Sequence, residues 1–110
     1  MAIDEGLAQR IREALGGARV TERKMFGGIA FMSRGHMFVG IAKQRLMVRV
    51  GPAAYDDALR KPHVREMDFT GRPLRGYVYV DAEGIERDED LAEWVGAGLA
   101  FVGTLPAKQR

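Results

Sequence analysis

Between Val20 and Val50 the chain is a succession of short apolar runs of Ile, Phe, Met and Val, broken by the turn-forming pairs Gly27-Gly28, Arg34-Gly35 and Lys43-Gln44. Runs this short, closed by residues that tolerate tight turns, predict about three antiparallel strands. The last run alternates strictly: Leu46, Val48 and Val50 fall on one face, Arg45, Met47 and Arg49 on the other. A side-chain period of two makes the first face the inward one and leaves the second polar.

The flanking segments have a different period. Leu7, Ile11 and Leu15 recur four residues apart from Asp4 to about Leu15, which predicts an amphipathic helix that Gly16-Gly17 caps and ends. Gly51-Pro52 stops the last of the three strands, and Pro52 suits the first turn of a short helix through Tyr55 and Leu59, ended by Lys61-Pro62. Two more strands are predicted at Arg65 to Phe69 and Gly76 to Val80, joined by the turn residues Thr70-Gly71-Arg72-Pro73. From Asp88 to Val102, Leu91, Val95, Leu99 and Val102 form a stripe at helical spacing. Asp88, Glu89 and Asp90 open that helix, where carboxylates oppose the positive end of its dipole for about 0.3–1 kcal/mol each. The order α-β-β-β-α-β-β-α contains no βαβ repeat, so the fold class is α+β, an antiparallel sheet with helices packed on it.

A chain of 110 residues is one ordinary domain, which buries roughly 65% of its unfolded surface. A single domain over residues 1–105 with a flexible tail at 106–110 is expected. The net charge of +2 hides a segregation: residues 1–80 carry 14 basic and 8 acidic side chains, residues 81–95 carry 1 and 7. The absence of cysteine excludes disulfides, thiolate nucleophiles and Cys-ligated metals. No window approaches the ~20 apolar residues of a membrane span, and the polar, acidic N-terminus points to the cytoplasm.

The run Met25-Phe26-Gly27-Gly28-Ile29-Ala30-Phe31-Met32, then Gly35-His36-Met37-Phe38-Val39-Gly40-Ile41 and Leu46-Met47-Val48-Arg49-Val50-Gly51, resembles the N-terminal domain of the TfoX/Sxy family. Met25, Phe26, Gly27 and Gly28 are its strongest element. Met67-Asp68-Phe69, Gly76-Tyr77-Val78-Tyr79-Val80 and the closing helix around Trp94 extend the likeness over nearly the whole chain. The resemblance implies a secretion-chaperone-like α+β domain, a homodimer, and a bacterial cytoplasmic role in regulating competence or transcription. It implies no reaction. The family's larger regulators carry a further C-terminal helical domain, so a standalone N-terminal domain is expected here.

Catalytic and cofactor chemistry finds little support in the residues. Gly27 and Gly28 fit a bulge or tight turn better than a phosphate cradle, since a strand follows and no Gly-Lys-Ser/Thr sequence does. His36 and His63 stand 27 residues apart without ligand partners. Ser33, the one serine, lies in no nucleophile elbow. The acid pairs Asp56-Asp57, Glu66/Asp68 and Asp88/Asp90 suit solvated or capping positions. No enzyme activity, cofactor or metal is therefore expected. Trp94 reads as a core anchor, with Gly96 and Gly98 permitting close helix approach.

Arg34 to Ile41 partly matches an RNA-binding strand motif, but His36, Met37 and Ile41 replace residues that motif requires. His36 and Phe38 share one strand face, and Arg45, Met47 and Arg49 another; Arg75, Tyr77 and Tyr79 alternate along a third. Such residues suit a dimer or partner interface, where Arg, Tyr and Met are enriched. They also suit nucleic acid, where rings stack on bases and guanidiniums meet phosphates. Phe38 and the tyrosines also fit a plain core. The leading expectation is a non-enzymatic regulatory or protein-interaction module; the alternative is direct nucleic-acid binding through the Arg/Tyr surface.

Overall fold

The computed structural model describes residues 5–25, 28–68 and 73–106. Helix α1 (Glu5–Leu15) leads into four strands, β1 (Thr21–Met25), β2 (Gly28–Ser33), β3 (His36–Ala42) and β4 (Arg45–Arg49). Helix α2 (Tyr55–Leu59), β5 (Val64–Asp68), β6 (Pro73–Val80), a 3₁₀ turn (Ala82–Ile85) and α3 (Asp88–Gly103) complete the chain. The strands form one sheet in the order β1-β2-β3-β4-β6-β5, with every neighbouring pair antiparallel. The fold is thus α+β with an open antiparallel sheet, as the residue pattern and the resemblance led one to expect.

One strand more than expected occupies the first half. Thr21–Met25 pairs along β2 as an edge strand, and its Thr21, Glu22, Arg23 and Lys24 are all exposed. A strand with so little burial carries no hydrophobic period to read. Pro52 also lies in the turn before α2 rather than inside it; its carbonyl accepts a hydrogen bond from the Tyr55 amide at 3.4 Å. Gly16, at φ +60°, provides the left-handed residue just beyond α1.

Register explains the core. Phe31, Val39, Val48 and Val78 stand in one cross-strand row, and Ile29, Ile41, Leu46 and Val80 in the next. All eight side chains are buried beneath the helices. Helix α3 crosses β2, β3 and β4, α1 packs on α3, and α2 covers β5 and β6, all on this one face. Burial of a large apolar side chain contributes about 1.5–3 kcal/mol, so these two rows carry much of the stability. Trp94, 9% exposed, joins the core from α3.

The helix ends are tied down by arginines. Arg34, at the β2–β3 turn, donates from Nη1 to the carbonyls of Val102 (3.2 Å) and Gly103 (3.1 Å) at the C-terminus of α3. Cationic donors there satisfy orphan carbonyls and oppose the helix dipole. Arg34→Ala is expected to cost about 1 kcal/mol, read as a melting temperature roughly 4 °C lower. Arg10 makes the matching clamp at the other end: it donates to the Ile85 carbonyl at 2.7 Å and pairs with Asp88 at 3.1 Å.

On the helix side of the edge, Arg12 reaches Glu22 through Nε (2.7 Å) and Nη2 (2.8 Å). These hydrogen bonds, aided by the arginine's charge against desolvation, hold the Glu22 carboxyl below its ordinary value of 4.5. Because the folded value is the lower one, the pair's contribution is present above about pH 4.5 and fades as the pH falls through the folded value. Both groups are partly exposed, so the effect is small. Melting curves of wild type and Glu22→Gln are expected to differ modestly at pH 6–7 and converge in acid. A constant difference from pH 7 to pH 3 would refute this assignment.

Candidate functional site

All helices lie on one side of the sheet, so its other side is uncovered. The row Arg23–Ala30–Gly40–Met47–Tyr79–Arg65 crosses all six strands on that side. Small residues at Ala30 and Gly40 sink its middle into a trough. Met47 folds over the glycine: its Cε lies only 2.7 Å from where a Gly40 Cβ would stand. Met32 and Met37 pair across β2 and β3 beside the trough, and Met67 and Leu74 close its far end. The result is a groove of about 410 Å³ with a methionine-rich floor. Thioether side chains adapt to varied apolar shapes, which is why they suit binding surfaces.

The rim of the groove is cationic and aromatic. Arg49 pairs with Tyr77 across β4 and β6. The Arg45 guanidinium lies 4.0 Å from the centre of the Tyr79 ring, and that of Arg49 lies 5.4 Å from Tyr77 and 5.5 Å from Phe101. Stacking of this kind fixes the guanidinium plane while leaving its N–H fork free. Arg23, Arg45 and Arg49 meet no carboxylate among the described residues, whereas Arg65 is paired with Asp81 at 2.7 Å.

Of the candidate surface residues, Arg45, Met47, Arg49, Tyr77 and Tyr79 are brought together on this face. Arg75 is not. Gly76 adopts φ +96° and the β5–β6 register slips beside it, so the alternation breaks between Arg75 and Tyr77. Leu74 then lines the groove, while Arg75 stacks over Tyr55 of α2 at 5.2 Å and approaches Asp56 at 3.5 Å. Placing Arg75 on one face with Tyr77 and Tyr79 is corrected by that glycine. His36 and Phe38 are likewise separated: a bulge between the β2 and β3 registers lets Phe38 join the core, fully buried. His36 Nε2 sits 2.8 Å from the Pro106 carbonyl.

Within the family run, Gly28 opens β2 and the backbone of Met25 ends β1. Phe26, Gly27 and the Met25 side chain lie outside the described residues, as does the tail from 107 onward. Sequence reasoning missed Arg23, Met32, Met37, Met67 and Leu74; the available signal was a content of six methionines, four of which line the groove.

Among the described residues no group of three or more His, Asp or Glu is disposed to hold a metal. A second cleft of about 410 Å³ between α2 and α3 is lined by Ala58, Trp94, Ala97 and Phe101. Its charged groups are engaged, Asp57 with Arg60 at 2.9 Å and Lys61 over Trp94 at 4.9 Å. No helix among the described residues is long and apolar enough to cross a membrane.

A search of curated proteins finds no match to this chain. The family model for the TfoX N-terminal domain matches residues 12–102, from within α1 to the last turn of α3. That span takes in all six strands, both covering helices and every residue of the groove, and the chain belongs to the TfoX N-terminal domain family, a regulatory rather than a known catalytic one.

Proposed function

We propose that this domain is a non-enzymatic regulatory module of the cytoplasm that acts in control of competence or transcription by docking a protein partner on the open face of its sheet. The observation that carries this reading is the one-sided helix layer, which leaves a methionine-floored groove with an Arg/Tyr rim uncovered. Contiguous apolar surface with polar edges marks interaction sites. The homodimer implied by the resemblance belongs to the proposal through a contact outside this face, since a two-fold contact there brings two copies of the same cationic rim together.

Direct nucleic-acid binding is the weaker reading, for a geometric reason. Tyr79 and Tyr77, the rings of the face, are half-buried, and the Arg45 and Arg49 guanidiniums already lie against them, leaving less open aromatic surface for bases. Light scattering with single-stranded and duplex DNA across a salt series separates the two. A dimer mass that neither DNA nor salt alters is expected; a complex that forms at low salt and dissolves steeply with added salt would sink the protein-docking reading.

A further inference from the structure

The charge pattern of the open face goes further than the proposal that a protein docks there, and rests on it: we infer that the occupant is an acidic amphipathic helix of a partner protein, its apolar side in the methionine groove and its carboxylates on Arg23, Arg45 and Arg49. Two features lead to this. The floor is apolar and deformable, built from Met32, Met37, Met47, Met67 and Leu74 around Ala30 and Gly40. Its rim holds three guanidiniums that no carboxylate among the described residues satisfies, two of them beside tyrosine rings, 4.0 Å and 5.4 Å from the ring centres. The planar fork of arginine matches carboxylates in two-pronged geometry.

The sheet edges exclude a strand as the occupant. β1 presents Glu22, Arg23 and Lys24 to solvent, and β5 presents Arg65 and Glu66. Charged side chains on edge strands oppose pairing with an added strand. A helix laid on the face needs no free edge, and its i, i+3, i+4, i+7 positions are the ones that fill an apolar groove. Six strands at ~4.8 Å spacing make the face ~24 Å wide, the length of a helix of about 16 residues.

A second copy of the chain is a poor occupant. An isologous contact brings two copies of the same cationic rim into one interface, at a cost in like-charge repulsion. The acidic start of α3, Asp88, Glu89 and Asp90, lies in the helix layer on the opposite side of the sheet. Docking it on the open face of another copy gives a head-to-back contact, which builds a ring or a filament rather than a two-fold dimer.

The four groove methionines provide a direct readout. The 110-residue chain, labelled with ¹³C at the methionine methyls and assigned by single Met→Leu changes, is titrated with three probes. The first is a 16-residue helical peptide with leucines at i, i+3, i+4, i+7 and glutamates beside them; the second is its twin with lysine for every glutamate; the third is a 16-mer of thymidine. The acidic peptide is expected to shift Met32, Met37, Met47 and Met67 saturably. It should bind at least tenfold more tightly than the lysine twin, and Arg45→Glu with Arg49→Glu should weaken it at least tenfold. The lysine twin keeps the test decisive with wild-type protein even where the double variant folds poorly. Equal binding of the two peptides overturns the acidic assignment and leaves the docking reading standing. Methionine shifts caused by the oligonucleotide alone overturn both. Shifts that grow with protein concentration alone make a second copy the occupant, and a face that no probe moves also contradicts the inference.

Discussion

Phe38→Ala is expected to cost about 3–5 kcal/mol, the range for emptying a fully buried aromatic site. A domain of this size has only about 5–15 kcal/mol in all, so the variant should melt far below wild type and be partly unfolded at 37 °C. The ring is 0% exposed, because the bulge in β3 turns Phe38 to the same side as Val39, under α3. Met37, its neighbour on the open face, should tolerate alanine at a cost of about 1 kcal/mol or less. The contrast separates a core ring from a stacking ring: a folded, fully stable Phe38→Ala protein would return Phe38 to the surface. Thermal melts followed by circular dichroism are sufficient to read it.

The second large effect distinguishes two glycines of α3. Gly98 rides so close to β3 that a Cβ there would come within 2.6 Å of the Phe38 carbonyl oxygen and 3.3 Å of Val39. Backbone atoms do not step aside as the end of a side chain does, so Gly98→Ala should lose about 1–3 kcal/mol by forcing the helix off the sheet. Gly96 has nothing within 4 Å and points to solvent. There the same change removes only glycine's helix penalty, a gain of up to about 1 kcal/mol. Two identical substitutions two residues apart should therefore move the melting temperature in opposite directions. Equal shifts would contradict the seating of α3.

The sequence reading expected close approach at both Gly96 and Gly98, and composition has no means of separating them: which of two glycines faces the sheet depends on the rotation of the helix. The same limit operates elsewhere. Leu46, Val48 and Val50 announced their face because a strand buried on one side has a period of two. β1 announced nothing, since a charged edge strand buries too little to leave a pattern. The short and long helices were legible from Tyr55 and Leu59 and from Leu91, Val95 and Val102. The surface was half legible. Arg45, Met47 and Arg49 follow from alternation alone, but their meeting with Tyr77 and Tyr79 follows from β6 lying next to β4, a crossover that no local signal encodes. Arg75 dropped out because one glycine at φ +96° reset the alternation. A glycine inside a strand was the cue, since such positions often mark bulges.

What unites these features is a division of labour between the two sides of one sheet. The inner rows, Phe31–Val39–Val48–Val78 and Ile29–Ile41–Leu46–Val80, are saturated by helices and supply stability. The outer row has small residues where a core would have large ones, and cations where a core would have none. That face contributes little that the fold requires, which leaves it free to serve recognition.

The most direct test of this division is a chromosomal allele carrying Met47→Glu and Tyr79→Ser, both on the open face, with melting of the purified variant checked against wild type. If the open face is where the domain acts, the transcript profile of this strain will match that of a strain lacking the gene, although the protein is folded and present at normal levels. A wild-type profile from the folded face variant would contradict the account and move the working surface to the helix layer.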